Sequence, residues 1–215
     1  MGAINGRKVI LGFDPGGASG VAILKTGGPL APILEWDAVA SVDAAVEWFM
    51  GKLEGAVPDG IGIDTPLSWE TGTSGWRGPD LWLRAKYEPA ARSVLATNSA
   101  YGAMLVQGPA LALRIHERFG AQVELNESHP KVLYYALRGE KYPREGRMPV
   151  AVVEWLTEQV GTAGVQRQTS SDEWDAAISA WATYCGITGC WKHDLMVHSN
   201  KPLLPVGPVT YFWPE

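Results

Sequence analysis

Short apolar runs alternate with longer amphipathic segments along the chain. Apolar runs of strand length predict β-strands at 8–13, 20–25, 33–38, 60–64 and 123–126, with a strand-like end at 208–213. Apolar residues at helical spacing predict helices at 41–54, 105–119, 131–138, 149–159 and 169–184. A glycine-rich turn separates the first two strands, which predicts an antiparallel hairpin.

The order of these elements predicts an α/β fold. Three strands precede a helix and a fourth strand, and the remaining helices enclose a fifth strand. Residues 66–100 show no clear periodicity and are predicted to be irregular, with 71–79 as a long loop. With no evident linker, residues 1–215 are expected to form a single domain.

Composition and charge limit the function classes. Hydrophobic residues make up 46% of the 215 residues and charged residues 19%, which is typical of a globular protein. The formal net charge of −5 disfavours a general duplex-coating protein without excluding a nuclease. With no signal-peptide run and no apolar stretch of roughly 18 residues, we expect a cytoplasmic protein with no membrane partner. The oligomeric state stays open.

Acidic residues stand at the ends of predicted elements. Asp14, Asp64 and Glu127 follow the first, fourth and fifth strands, and the first turns of the late helix contain Asp172, Glu173 and Asp175. If those three strands are adjacent and parallel, their carboxyl ends meet at one edge of the sheet, where ligands bind in open α/β folds. We therefore expect a carboxylate cluster there.

Converging carboxylates repel one another unless a cation lies among them. A hard divalent ion such as Mg²⁺ or Mn²⁺ suits oxygen ligands. Two such ions about 3.5–4 Å apart would hold the attacking water and the leaving oxygen of a phosphodiester. The two cysteines form no pair of zinc-ligand type, so the chemistry would rest on carboxylates.

Each acid also has a structural interpretation. Asp14 before Pro-Gly could form a turn, Asp64 could cap a turn or helix, and Glu127 could be a surface acid. Asp172 and Glu173 could serve only as favourable charges at a helix N-terminus.

Basic residues near the acids are candidates for substrate contact. His129, before a proline, could be a ligand, a proton shuttle or a hydrogen-bonded loop histidine. Arg77, Arg84, Lys86 and Arg92 could contact substrate phosphates or remain solvated, and Arg84 and Arg92 are the predicted substrate-binding residues.

The same residues carry a family resemblance. Residues 9–16, followed by 20–22, resemble the opening strand and turn of ribonuclease-H-like nucleases, and the Asp-Pro-Gly turn is similar to that of Holliday-junction resolvases. Segments of the chain also resemble domain-of-unknown-function family 429, a predicted ribonuclease-H-like nuclease, at 61–67, 127–130, 172–176 and 207–214. The stretch at 84–88 departs from that family.

The resemblance implies a ribonuclease-H-like mixed sheet, with antiparallel hairpin strands plus parallel strands, flanked by helices. It implies Asp14, Asp64 and Asp175 as the core metal ligands with Glu127 beside them, and Asp172 as the substitute if the helix register is shifted. The leading hypothesis is a metal-dependent nuclease acting on RNA, DNA or a hybrid, in which Asp14 bridges two metals.

Two alternatives remain open. The first is a nucleotide-binding phosphotransferase or ATPase of the same fold, with phosphates cradled by residues 12–20. The second is a non-catalytic binding module that uses the segment 66–100.

Overall fold

A five-stranded mixed sheet lies at the centre of the computed structural model, which describes residues 6–28, 31–100, 102–142, 146–162 and 168–215. Its strands are β1 (Lys8–Asp14), β2 (Ser19–Thr26), β3 (Ile33–Val39), β4 (Gly60–Ile63) and β5 (Glu124–Glu127). They are ordered β3-β2-β1-β4-β5; β2 pairs antiparallel with β1 and β3, and β4 pairs parallel with β1 and β5. The predicted hairpin is confirmed, and the first, fourth and fifth strands are adjacent and parallel, which was the condition for their carboxyl ends to meet.

Six α-helices occupy the described residues: α1 (Val42–Leu53), α2 (Gly78–Lys86), α3 (Gly102–Phe119), α4 (Pro130–Arg138), α5 (Val150–Val160) and α6 (Ser171–Ile187). The hydroxyl of Ser41 accepts the amide hydrogen of Ala44, 3.1 Å away, and so caps α1 as predicted. Ser170 and Glu173 form a capping box that begins α6.

The segment 66–100 is more regular than predicted. It contains α2 and two short 3-10 helices, Glu88–Ser93 and Thr97–Ser99. Gly78 and Pro79 look like loop residues in sequence, but Pro79 stands in the first turn of α2, where a proline loses no helical hydrogen bond. The prediction of an irregular segment was therefore wrong for α2.

The predicted closing strand at 208–213 is shorter in the structure. Only Phe212–Trp213 forms a strand (β7), which pairs with His193–Asp194 (β6), and Thr210 forms a single bridge to β5. Side-chain oxygens accept hydrogen bonds from backbone amides in place of strand pairing. The amide of Tyr211 donates to Asp194 at 2.8 Å, and the amide of Phe212 donates to Asn126 at 2.9 Å.

Two apolar layers cover the sheet. Helices α1 and α3 pack on one face against Leu11, Phe13 and Ile63, and α4, α5 and α6 pack on the other face. Because side chains alternate between the faces of a strand, the residues that follow Phe13 and Ile63 face α6. The result is a mixed sheet flanked by helices in a ribonuclease-H-like arrangement, as the sequence predicted.

Candidate functional site

Asp14 and Asp64 lie side by side at the carboxyl ends of β1 and β4. Phe13 and Ile63 are register partners, and the amide of Asp64 donates to the carbonyl oxygen of Phe13 at 2.9 Å. Both aspartates come one residue after a core side chain of the opposite layer, so both face α6. Strand alternation therefore places the two acids on one face of the sheet.

Asp175 reaches the same place because α6 lies directly on the sheet backbone. A β-carbon on Gly12 would lie 2.0 Å from the carbonyl oxygen of Ala176, and one on Gly62 would lie 2.1 Å from that of Ser179. Only glycine allows this approach, and a similar contact joins Gly20 to the helix. With the helix this close, a residue near its N-terminus reaches the edge of the sheet.

The three aspartates form a group suited to a metal ion. One carboxylate oxygen from each of Asp14, Asp64 and Asp175 lies within 4.8 Å of the others. All three side chains are buried, and Asp175 is fully so. The central observation is that acids from three distant parts of the sequence meet here.

Burial and mutual repulsion both disfavour the charged forms of these acids. Burial, followed by the charges of Asp64 and Asp175, raises the pKa of Asp14 well above its ordinary value. Burial raises the pKa of Asp64 to about 8, even though Lys131 opposes the shift. The pKa of Asp175 is raised chiefly by burial. A bound cation would relieve this cost by favouring the ionised carboxylates.

Lys131 and Tyr142 contact Asp175 directly. The ammonium group of Lys131 and the hydroxyl of Tyr142 each donate a hydrogen bond to a different oxygen of that carboxylate. Burial alone would lower the pKa of Lys131, but the three aspartates hold it well above its ordinary value. Lys131 therefore contributes positive charge to the carboxylate group.

Glu127 lies near the three aspartates but has a different partner. Glu127 pairs in register with Ile63, the residue before Asp64. It therefore lies one position before Asp64 along the direction of the strands. Its two carboxylate oxygens accept hydrogen bonds from the guanidinium of Arg77 at 2.7 and 2.5 Å, and its Oε2 also accepts from the amide of Leu67. Arg77 in turn pairs with Asp80. The three-acid group found among the described residues does not include Glu127, whose predicted catalytic role stays a prediction.

Asp172 stands one turn before Asp175 on α6. It is half-buried, its carboxylate accepts a hydrogen bond from the hydroxyl of Ser171 at 3.1 Å, and its charge contributes to the raised pKa values of all three clustered aspartates. Asp175 rather than Asp172 belongs to the metal-suited group, so the helix register matches the first of the two predicted alternatives.

An open cleft with a volume of about 320 Å³ lies beside the acid cluster; we call it the Asp64 cleft. Asp64 and Lys131 line it together with Glu127, Arg77 and Tyr211. The lining also includes Arg92, Ser93, Val94, Leu95, Ala100 and Met104. Of the three clustered aspartates, Asp64 is the one that lines the cleft.

The predicted substrate-binding residues differ in position. His129 and the exposed Arg92 line the Asp64 cleft. The Nε2 atom of His129 lies 3.0 Å from the carbonyl oxygen of Ser93. Arg84 is not among the lining residues; it donates to the carbonyl oxygens of Ala91 and Val94 and stacks on Trp76. The substrate role of all three stays a prediction.

Sequence reasoning missed Lys131, Tyr142 and the Arg77–Asp80 pair. Lys131 carried a usable signal, because it lies in the first turn of the helix that follows β5 and its Glu127-Ser128-His129-Pro130 end. Tyr142 carried none, because its contact with Asp175 spans 33 residues of sequence, with α5 between them.

Comparisons of the chain with protein-family models, curated proteins and solved structures found no match. Within the described residues, no helix has both the length and the apolar character needed to cross a membrane.

Proposed function

We propose that the protein is a metal-dependent hydrolase that cleaves phosphodiester bonds in nucleic acid. The observation that supports this best is the meeting of Asp14, Asp64 and Asp175 beside an open cleft. Buried acids in a cleft with strongly perturbed pKa values are typical of functional sites. Membership of domain-of-unknown-function family 429, which segments of the sequence resemble, is part of the same proposal.

The donor set fits Mg²⁺ or Mn²⁺. It consists of carboxylate oxygens, the ligands that hard divalent cations prefer. Three carboxylates with one ammonium leave an excess of negative charge when all are ionised, which a divalent cation would balance. Asp14, Asp64 and Asp175 would hold the ion, and a bound ion would supply activation of water and stabilisation of charge on the phosphate.

The chain's own groups have distinct parts in this proposal. Asp64 lines the cleft and faces the entering substrate, whereas Asp175 is fully buried and is oriented by Lys131 and Tyr142. Lys131 also lines the cleft, where its ammonium group is suited to donate to a phosphate oxygen.

Two of the four glycines in residues 12–20 weaken the phosphotransferase alternative. Gly12 and Gly20 face the backbone of α6, so their missing side chains are explained by helix packing. A phosphate-cradling loop instead uses glycines to bring backbone amides to the ligand. A binding module without metal would leave the cost of three buried acids without a function.

A metal titration tests the proposal. Thermal unfolding is followed against MgCl₂ and MnCl₂ for the wild type, for Asp14→Asn and for the control Asp43→Asn, an exposed acid in the first turn of α1. Cleavage of labelled DNA, RNA and hybrid strands is measured with the same proteins. We expect metal-dependent stabilisation and cleavage in the wild type and control, and their loss in Asp14→Asn. A wild type that neither responds to metal nor cleaves any strand would contradict the proposal.

A further inference from the structure

The Asp64 cleft is lined by two kinds of residue. Its apolar lining residues are Pro66, Val94, Leu95, Ala100 and Met104. Its polar and charged lining residues include Arg92, Ser128, His129 and Lys131. Its volume of about 320 Å³ lies at the small end of the range for small-molecule sites. The cleft therefore suits one compact group with an apolar face and a few hydrogen-bonding atoms.

Ser128 marks the point in the cleft where a ligand would be recognised. Its amide donates to the carbonyl oxygen of Ile63, just as the amide of Asp64 donates to Phe13 on the neighbouring strand. Ser128 is thus the counterpart of Asp64 at the end of β5. Its side chain is 5% exposed, and within the described residues its hydroxyl has no hydrogen-bond partner.

A buried hydroxyl without a hydrogen-bond partner lowers the stability of a folded protein, so a ligand atom that bonds to the Ser128 hydroxyl would be favourable. The second cleft serine shows the contrast. The hydroxyl of Ser93 donates to the carbonyl oxygen of Ala90 at 2.8 Å and so is already satisfied.

Charge identifies the kind of ligand. Lys131 joins the cleft to the carboxylate group, and the exposed Arg92 adds positive charge beside the buried Arg77, which is paired with Asp80 and Glu127. A phosphate can thus approach Asp64 while an attached ring packs against the apolar lining residues. The net charge of −5 gives no general attraction for a long duplex, whose binding depends on many phosphate contacts.

Building on the proposed function, we propose that the Asp64 cleft holds one unpaired nucleoside unit of the substrate, hydrogen-bonded to the Ser128 hydroxyl, and so presents the adjoining phosphate to the three aspartates. The substrate class is therefore single-stranded nucleic acid or a frayed end. The interior of a duplex does not fit, because a stacked and paired base cannot enter a cleft of this size without leaving the helix.

The first experiment measures nucleoside binding without metal, so that its result is independent of the carboxylate chemistry. Adenosine, guanosine, cytidine, uridine and thymidine are titrated in EDTA by ligand-observed NMR. The proteins are the wild type, Ser128→Ala, the matched control Ser93→Ala, and Ala100→Trp, which fills the cleft. We expect binding to the wild type and Ser93→Ala, binding about threefold to tenfold weaker in Ser128→Ala, and none in Ala100→Trp.

Ser128→Ala has a second readout. Removal of an unsatisfied buried hydroxyl should leave thermal stability unchanged or raise it, so weaker binding would not come from unfolding. If no nucleoside binds the wild type, or if Ser128→Ala and Ala100→Trp bind as tightly as the wild type, the proposal is overturned.

The second experiment compares cleavage of a single strand with cleavage of the same strand in a blunt duplex, in Mg²⁺ or Mn²⁺. We expect at least a tenfold preference for the single strand, and equal rates would overturn the cleft assignment alone. Failure of the proposed function has a different signature: nucleosides would still bind in EDTA, but the wild type would show no metal-dependent cleavage of either substrate.

Discussion

The ammonium group of Lys131 donates a hydrogen bond to Asp175, which is fully buried. The contact joins the first turn of α4 to α6 across 44 residues of sequence. It supplies positive charge to a carboxylate group that would otherwise carry like charges only. The same lysine also competes electrostatically with any cation that enters the group.

Replacement of Lys131 by Met tests this competition. The variant should bind Mg²⁺ or Mn²⁺ roughly tenfold more tightly, a change of about 1.4 kcal/mol, because a positive charge beside the ion is removed. The metal-free variant should also unfold at a lower temperature, since Asp175 loses its partner. Calorimetric titration and thermal unfolding measure the two effects. Lys141→Met, at an exposed lysine, serves as control, and weaker metal binding in Lys131→Met would contradict the interpretation.

The raised carboxylate pKa values make stability depend on pH. Asp64 has a pKa of about 8 in the folded protein against an ordinary value of 3.8, so the folded state binds more protons than the unfolded state between these values. The free energy of unfolding of the metal-free protein should therefore fall as pH rises from about 4 to about 8.

Saturating Mg²⁺ should reduce this slope, because metal binding favours the ionised acids and displaces their protons. Asp14→Asn should also reduce it, since one of the coupled acids is removed. Urea unfolding in a pH series, with and without metal, measures both. A metal-free wild type that becomes more stable over the whole interval would show that the acids are not coupled as described.

Gly12→Ala tests the close packing of α6. A β-carbon at this position would meet the backbone of Ala176, which cannot move aside without moving the helix. We expect a loss of about 3 kcal/mol or more in the free energy of unfolding, together with weaker metal binding as Asp175 is displaced. Gly17→Ala is the matched control, because a β-carbon there meets no atom within 4 Å. Equal stability of the two variants would rule out the packing argument.

The Arg77–Glu127 pair separates structural from metal-binding roles. Arg77→Met leaves Glu127 and Asp80 buried without their partner and should cost about 3–5 kcal/mol in stability. Glu127→Gln should also destabilise the protein but leave the affinity for Mg²⁺ unchanged. If Glu127→Gln weakens metal binding as much as Asp64→Asn does, Glu127 is a metal ligand after all.

The sequence revealed the sheet and the strand-end acids because both depend on local patterns. Asp14 and Asp64 follow apolar runs that end in turn residues, and this spacing is enough to place them at the carboxyl ends of strands. For Asp14 and Asp64 the same alternation also places both acids on one face. Glu127 was placed at the right strand end, but its partner was not foreseen because Arg77 lies 50 residues away.

Helix α2 and Lys131 were missed for different reasons. Helix α2 is nine residues long and begins with Gly-Pro after a glycine-rich stretch. The helical spacing of its apolar residues is therefore too short to recognise beside residues typical of turns. The position of Lys131 in the first turn after β5 could have placed it near the strand-end acids, but its contact with Asp175 depends on α4 and α6 packing together, which no local pattern encodes.

The glycine-lined contact between α6 and the sheet sets the depth of Asp175 chiefly through main-chain atoms, because the atoms nearest to Gly12, Gly20 and Gly62 are carbonyl oxygens of the helix. An exchange of apolar residues elsewhere in the two layers should therefore disturb the spacing of the three acids less than a side chain at any of these glycines.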